Sequence, residues 1–166
     1  MAKFFTTIDH VKSIRWMNLR GENRNGFNRN RRKSFAAFLY PEDADRLAAD
    51  GWRIKEFVNK YDEEAPGEPF IEIVVNFKVS PKTGKLFPEI YRCIDKNCML
   101  MDEKMAEELD DDFIKDAHLL INPYWSADKN KATDFPTAYL HLGYFDIDVE
   151  PETNNTFEDP FAKMYG

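Results

Sequence analysis

No stretch of this 166-residue chain approaches the roughly 18 apolar residues of a membrane-spanning helix. The opening residues, MAKFFTTIDH, lack the apolar core of a secretory signal, so a cytoplasmic protein without a membrane partner is expected. Cysteine is scarce. Cys93 and Cys98 are the only two, which fits a reducing compartment, and a chain of this length needs no disulfide or metal staple. The three histidines, His10, His118 and His141, stand far apart in sequence. They supply no second pair at zinc-ligand spacing, so neither metal nor cofactor is expected. Gly-x-Gly-x-x-Gly, the Walker loop, the nucleophile elbow and His-Glu-x-x-His are all missing, and no nucleophile stands beside a recognisable base. The acids Asp110–Asp112 with Glu107 and Glu108 invite a two-metal reading. Consecutive carboxylates at a helix end splay around its axis, however, and a solvated terminus is the simpler expectation. Glu72, Glu89 and Asp95 sit on neighbouring segments with nothing in their spacing to demand convergence. No catalytic residue is assigned and no enzymatic activity is expected.

What the chain does have is an uneven charge distribution. Residues 12–33 carry eight cations, Lys12, Arg15, Arg20, Arg24, Arg29, Arg31, Arg32 and Lys33, against the single acid Glu22. That segment is +7 in a chain of formal charge -7, so the remainder sums to -14. Trp16, Phe27, five asparagines and the glycines Gly21 and Gly26 are interspersed with the cations. Arginine outnumbers lysine six to two there, and its planar guanidinium both forks onto phosphates and stacks on rings. A local basic patch governs contact within a Debye length of about 8–10 Å, while the acidic remainder maintains solubility. The pattern points to one concentrated polyanion site, with single-stranded nucleic acid the first candidate. Arg15, Arg20, Arg24, Arg29, Arg31, Arg32 and Lys33 would track phosphates. Trp16, Phe27 and Trp52 would stack on bases, with Arg53 and Lys55 flanking Trp52. Tyr91, Tyr124 and Trp125 are further aromatic candidates.

Local patterning predicts a single mainly β domain over residues 1–149. Strands are expected at 13–19, 34–40, 52–58, 70–79, 87–95, 117–124 and 137–149, from alternating or continuous apolar runs. Residues 70–79 should pair with 87–95 across the hairpin loop 80–85. Pro41–Asp50 predicts a short helix, with Glu42 and Asp43 in its first turn, Ala44, Leu47 and Ala48 on one face, and Gly51 just past its end. A second short helix is predicted over 102–109, capped by Asp102. The long polar loop 20–33 joins two strands, where it can close over a groove on a sheet face. Residues 150–166 read as an acidic flexible tail containing FEDPF.

The basic Asn/Arg loop, PEDADRLAADGWRIK, FIEIVVNF, IYRCID, LLINPYW, AYLHLGYFDID and the closing DPFAKMY resemble, in that order, the small single-stranded DNA-binding proteins of tailed bacteriophages and prophages. The resemblance spans about residues 12–165. It implies an elaborated OB-type antiparallel barrel with two short helices, and a non-catalytic, sequence-tolerant role in phage DNA replication, recombination or repair, in the host cytoplasm. Single-stranded DNA is the implied partner. Replication or recombination proteins would dock on the acidic tail through Phe161, and homo-oligomerisation is left open. Two rival readings accompany it. An acidic body imitating DNA would inhibit a host defence or replication protein, and a metal-dependent nuclease would use the carboxylates above.

Overall fold

The computed structural model describes residues 4–23, 26 and 28–149. In chain order they form β1 (Thr6–Ile8), β2 (Ser13–Asn18), β3 (Ser34–Phe38), α1 (Pro41–Ala49), β4 (Lys55–Phe57) and β5 (Glu68–Val74). Next come β6 (Lys78–Val79), β7 (Leu86–Phe87), β8 (Glu89–Ile94), β9 (Asn97–Met101), α2 (Glu103–Ala106) and a 3-10 turn (Glu107–Asp111). The long hairpin of β10 (Ile114–Tyr124) and β11 (Thr137–Ile147) completes them. The architecture is mainly β with two short helices. The acidic segment 150–166 and its Phe161 lie outside the described residues.

Nine strands form one sheet, running β1-β10-β11-β5-β3-β2, with β4 also on β5, and β8 on both β11 and β9. The sheet departs from the predicted barrel in two ways. Its ladders do not close into a ring, since β1 pairs with β10 and β2 with β3 at opposite ends. Nor is it wholly antiparallel, because β11 runs parallel to both β5 and β8. Residues 70–79 also do not form one strand. Pairing to β3 stops at Val74, and the exposed Lys78–Val79 pairs with β7 in a separate two-stranded ribbon. The predicted partner of β5, residues 87–95, therefore lies mostly against β11.

Alternation explains the core. Phe35 and Ala37 of β3, Ile71 and Ile73 of β5, Ala117, Leu119 and Ile121 of β10, and Phe145 of β11 point into one cluster with Leu47 of α1. The opposite face of β3 and β5 is not bare, because Ala36, Phe38 and Phe70 make a second, smaller cluster covered by Phe57. Pro41 starts α1 where no amide hydrogen bond is lost. Gly51, at φ 99°, ends it, and the Trp52 amide then donates back to the Leu47 carbonyl at 3.0 Å. Asp102 caps α2 as predicted, accepting from the Met105 amide at 2.7 Å.

Cys93 and Cys98 correct the expectation of free thiols. They are register partners in the β8–β9 hairpin and are joined by a disulfide. Asp95 and Lys96, at φ 48° and 71°, supply the tight two-residue turn that brings them opposite one another. The acids of the 3-10 turn are only in part the expected solvated terminus: Glu108 and Asp111 are exposed, but Asp110 is not. The fully buried Asp110 side chain accepts the amides of Leu19 at 2.6 Å and Arg20 at 3.0 Å. Asp111 takes the Arg20 guanidinium, and Asp112 that of Arg92. Three consecutive carboxylates thus reach different partners, as their splay around the axis requires, and the turn anchors the end of β2.

Candidate nucleic-acid interface

The site begins with an interruption along one edge of β5. Glu68–Phe70 pairs there with β4, while Ile73–Val74 pairs with β11. Between the two ladders, at Ile71 and Glu72, neither neighbour continues, and the sheet opens into a groove of about 800 Å³. Trp52 and Ile71 line its depth, both buried. Its cationic lining comes from Arg32, Arg53, Lys55 and Lys129, and its aromatic wall from Tyr124 and Tyr139.

The two tyrosines come from opposite strands of the β10–β11 hairpin, both at the end near its connecting loop. Their rings stack with centroids 5.0 Å apart and an interplanar angle of 5°. Tyr124 is 47% exposed, so the pair presents a flat ring to solvent. The loop 125–136 that overhangs the groove is held by side-chain bonds. Lys129 donates to the Phe135 carbonyl at 2.8 Å and to Thr137 Oγ1 at 3.0 Å, while Ser126 donates to Asp128 at 2.6 Å. That Ser126 bond holds the Asp128 carboxyl below its ordinary pKa. Lys131 lies 6.0 Å over the Trp125 ring.

On the other side stands the basic loop, organised by its asparagines. Asn18 exchanges two 2.9 Å bonds with the Glu22 backbone. Asn28 donates to the Glu22 and Arg32 carbonyls and accepts from the Arg32 amide. Gly21, at φ 67°, lets the two arms meet, since a Cβ there would sit 2.7 Å from the Arg31 carbonyl oxygen. These bonds hold Arg32 at the groove, with Arg31 and Lys33 beside it. A second cavity of about 380 Å³, lined by all three, meets the first at Arg32 and Tyr139.

The predicted residues fall into separate groups. Arg32, Arg53 and Lys55 come together at the groove, where Glu72 bridges Arg32 at 3.3 Å and Lys55 at 4.0 Å. Arg29 and Arg31 are exposed and carry no ion pair among the described residues. Lys33 is 2.7 Å from Glu103, with its ammonium 5.4 Å from the Phe77 ring centroid. Arg20 is held by Asp111 at 3.2 and 2.6 Å, so its guanidinium fork is filled by the protein itself. Arg15 lies 4.0 Å over Phe38 and 3.2 Å from Glu68. Trp16 occupies a bulge of β2 at φ 58°, is 53% exposed, and packs edge-on against Phe38, Phe57 and Phe70. Its strand lies two places from β5, although its ring reaches Phe70 of β5 across the outer cluster. Arg24 and Phe27 lie outside the described residues.

Trp52 is not available for stacking. Only 1% of it is exposed, and its indole N–H donates to Thr6 Oγ1 at 3.2 Å. The helix α1 ends immediately before it and turns the ring into the core. Sequence reading missed Tyr139 and Lys129. The signal for Tyr139 was the alternation of β11, in which buried Ala138 and Leu140 flank it and so turn it outward. Lys129 gave no signal, because a lysine in a polar loop is ordinary.

The groove joins cations, an aromatic pair with one exposed ring and an open channel on a negatively charged body, which is the chemistry that holds unpaired nucleic-acid strands. A family model described as "Putative phage ssDNA-binding domain" matches residues 5–163. Searches of curated proteins and of solved structures return no match. With nearly its whole length covered by that family model, the chain belongs to the phage single-stranded DNA-binding domain family.

Proposed function

We propose that the protein is a non-catalytic, sequence-tolerant binder of single-stranded DNA serving phage replication, recombination or repair. The strand runs through the groove between the basic loop and loop 125–136. The observation that carries this reading is the meeting of Arg32 and the stacked Tyr124–Tyr139 pair at one open channel. Arg31, Arg32 and Arg53 take phosphates, and the tyrosine face takes a base. Every base has a π-face, so such a site tolerates sequence.

Salt dependence tests the electrostatic half. Each neutralised phosphate of a single strand contributes about -0.7 to the slope of log affinity against log salt. Replacing Arg31, Arg32 and Arg53 together by alanine is expected to flatten that slope by about two units, read by fluorescence anisotropy with a labelled oligonucleotide. An unchanged slope would remove these cations from the interface.

The acidic segment 150–166 is proposed to compete with DNA for the cations, or to dock replication or recombination proteins through Phe161. Ending the chain at Val149 is then expected to tighten oligonucleotide binding at low salt in the same assay. Equal or weaker binding would show that the segment does not compete.

A further inference from the structure

The three histidines look isolated in sequence, but the fold gathers two of them with two carboxylates. Asp116 and His118 project from the same face of β10, two residues apart, and the segment between β1 and β2 lays His10 over them. His10 Nδ1 is 2.7 Å from Asp116 Oδ2, and the two imidazoles meet edge to face with centroids 4.8 Å apart. One ligand atom from each of His10, Asp116 and His118 lies within 4.8 Å of the others. Asp146, the register partner of Asp116 on β11, places its Oδ2 3.7 Å from His118 Nε2. The remaining oxygen of Asp116 is already committed. It accepts the amides of Val11 at 3.1 Å and Ala117 at 2.8 Å, which fixes the carboxylate with Oδ2 toward the imidazole.

We propose that His10, Asp116 and His118 form a binding site for a zinc-class divalent ion, with Asp146 as the fourth ligand. Two imidazoles with carboxylates suit zinc, cobalt and nickel, whereas magnesium and calcium take shells built from oxygen. Zinc bonds of about 2.0–2.1 Å set neighbouring donors about 3.3 Å apart in a tetrahedron. The side chain of His10 is 61% exposed, so it can swing to close the remaining distance without moving the core. The two amides on Asp116 play the orienting part that second-shell partners play at metal centres. A bound ion ties the β1–β2 segment to the β10–β11 hairpin. The site is distinct from the groove, because Asp146 and Tyr139 are seven residues apart along β11, about 23 Å of strand.

The test uses the full chain without an affinity tag, titrated with zinc chloride by calorimetry and with cobalt(II) by visible absorption. One zinc per chain is expected, with the intense cobalt bands of a four-coordinate nitrogen and oxygen site. His10→Ala and His118→Gln should each weaken zinc binding at least about 10-fold, since even outer-shell partners are worth about 10- to 100-fold. Far-ultraviolet circular dichroism and metal-free oligonucleotide affinity should be unchanged in both variants, which separates this site from the DNA groove. Absence of stoichiometric binding, or equal zinc affinity in the wild type and both variants, would overturn the proposal.

Discussion

Replacing Tyr124 and Tyr139 together by alanine is expected to weaken single-stranded DNA binding by about 1–3 kcal/mol, or roughly 5- to 150-fold. The two rings are stacked nearly parallel, 5° apart, so the outer one leaves a single face for a base. One stacked base is therefore the unit lost. The effect should appear in affinity and hardly in stability, because Tyr124 is 47% exposed and neither ring belongs to the main core. Fluorescence anisotropy at a fixed salt concentration reads the affinity, and a urea midpoint reads the fold. Because stacking is non-ionic, the salt slope should stay at its wild-type value while the whole line shifts. This distinguishes the tyrosines from Arg31, Arg32 and Arg53, whose removal changes the slope itself.

Trp52→Ala is expected to do the opposite, lowering folding stability by about 3–5 kcal/mol. The indole is among the largest fully buried side chains, and its removal leaves a cavity beneath α1. It also strips Thr6 Oγ1 of the Trp52 hydrogen bond that ties β1 to this part of the core. Trp52→Phe keeps most of the apolar volume and should cost less, giving a folded variant whose DNA affinity can be compared directly. If Trp52 were a stacking platform, Trp52→Phe would bind DNA with altered affinity at unchanged stability. A variant with a lower urea midpoint and wild-type affinity is the outcome its burial dictates.

The contrast between these residues shows how far the sequence could be read. Helix α1 was legible because every signal is local: Pro41 at its start, acids in the first turn, Leu47 on one face and Gly51 beyond its end. The strands β10 and β11 were legible for the same reason, each carrying its own alternation. Strand partners were not. Nothing within residues 87–95 says that they will lie parallel to β11 instead of opposite β5, because that choice depends on segments some fifty residues away. The groove follows from that non-local choice, since β5 is shared between β4 and β11 and left open between them.

The site was legible in its charge and less so in its rings. The basic loop announced itself through composition, and Arg32, Arg53 and Lys55 do converge on the groove. Arg20 could not be sorted from them in advance, because its partner Asp111 is ninety-one residues away in sequence. Trp52 gave a mixed local signal. Cations follow it, suggesting a surface, yet the chain reversal after α1 points its ring inward. The pairing of His10 with Asp116 and His118 was invisible for the same reason as the groove, since β1 and β10 are adjacent only after the sheet forms.

Photocrosslinking with an iodouracil-substituted oligonucleotide, followed by peptide mapping, tests most directly whether the strand occupies the groove. Tyr124 and Tyr139 are expected to carry the crosslinks, and their yield should fall when Arg31, Arg32 and Arg53 are replaced by alanine. Crosslinks confined to Trp16, or to the separate Tyr91–Tyr144 stack, with none at the groove tyrosines, would contradict that placement.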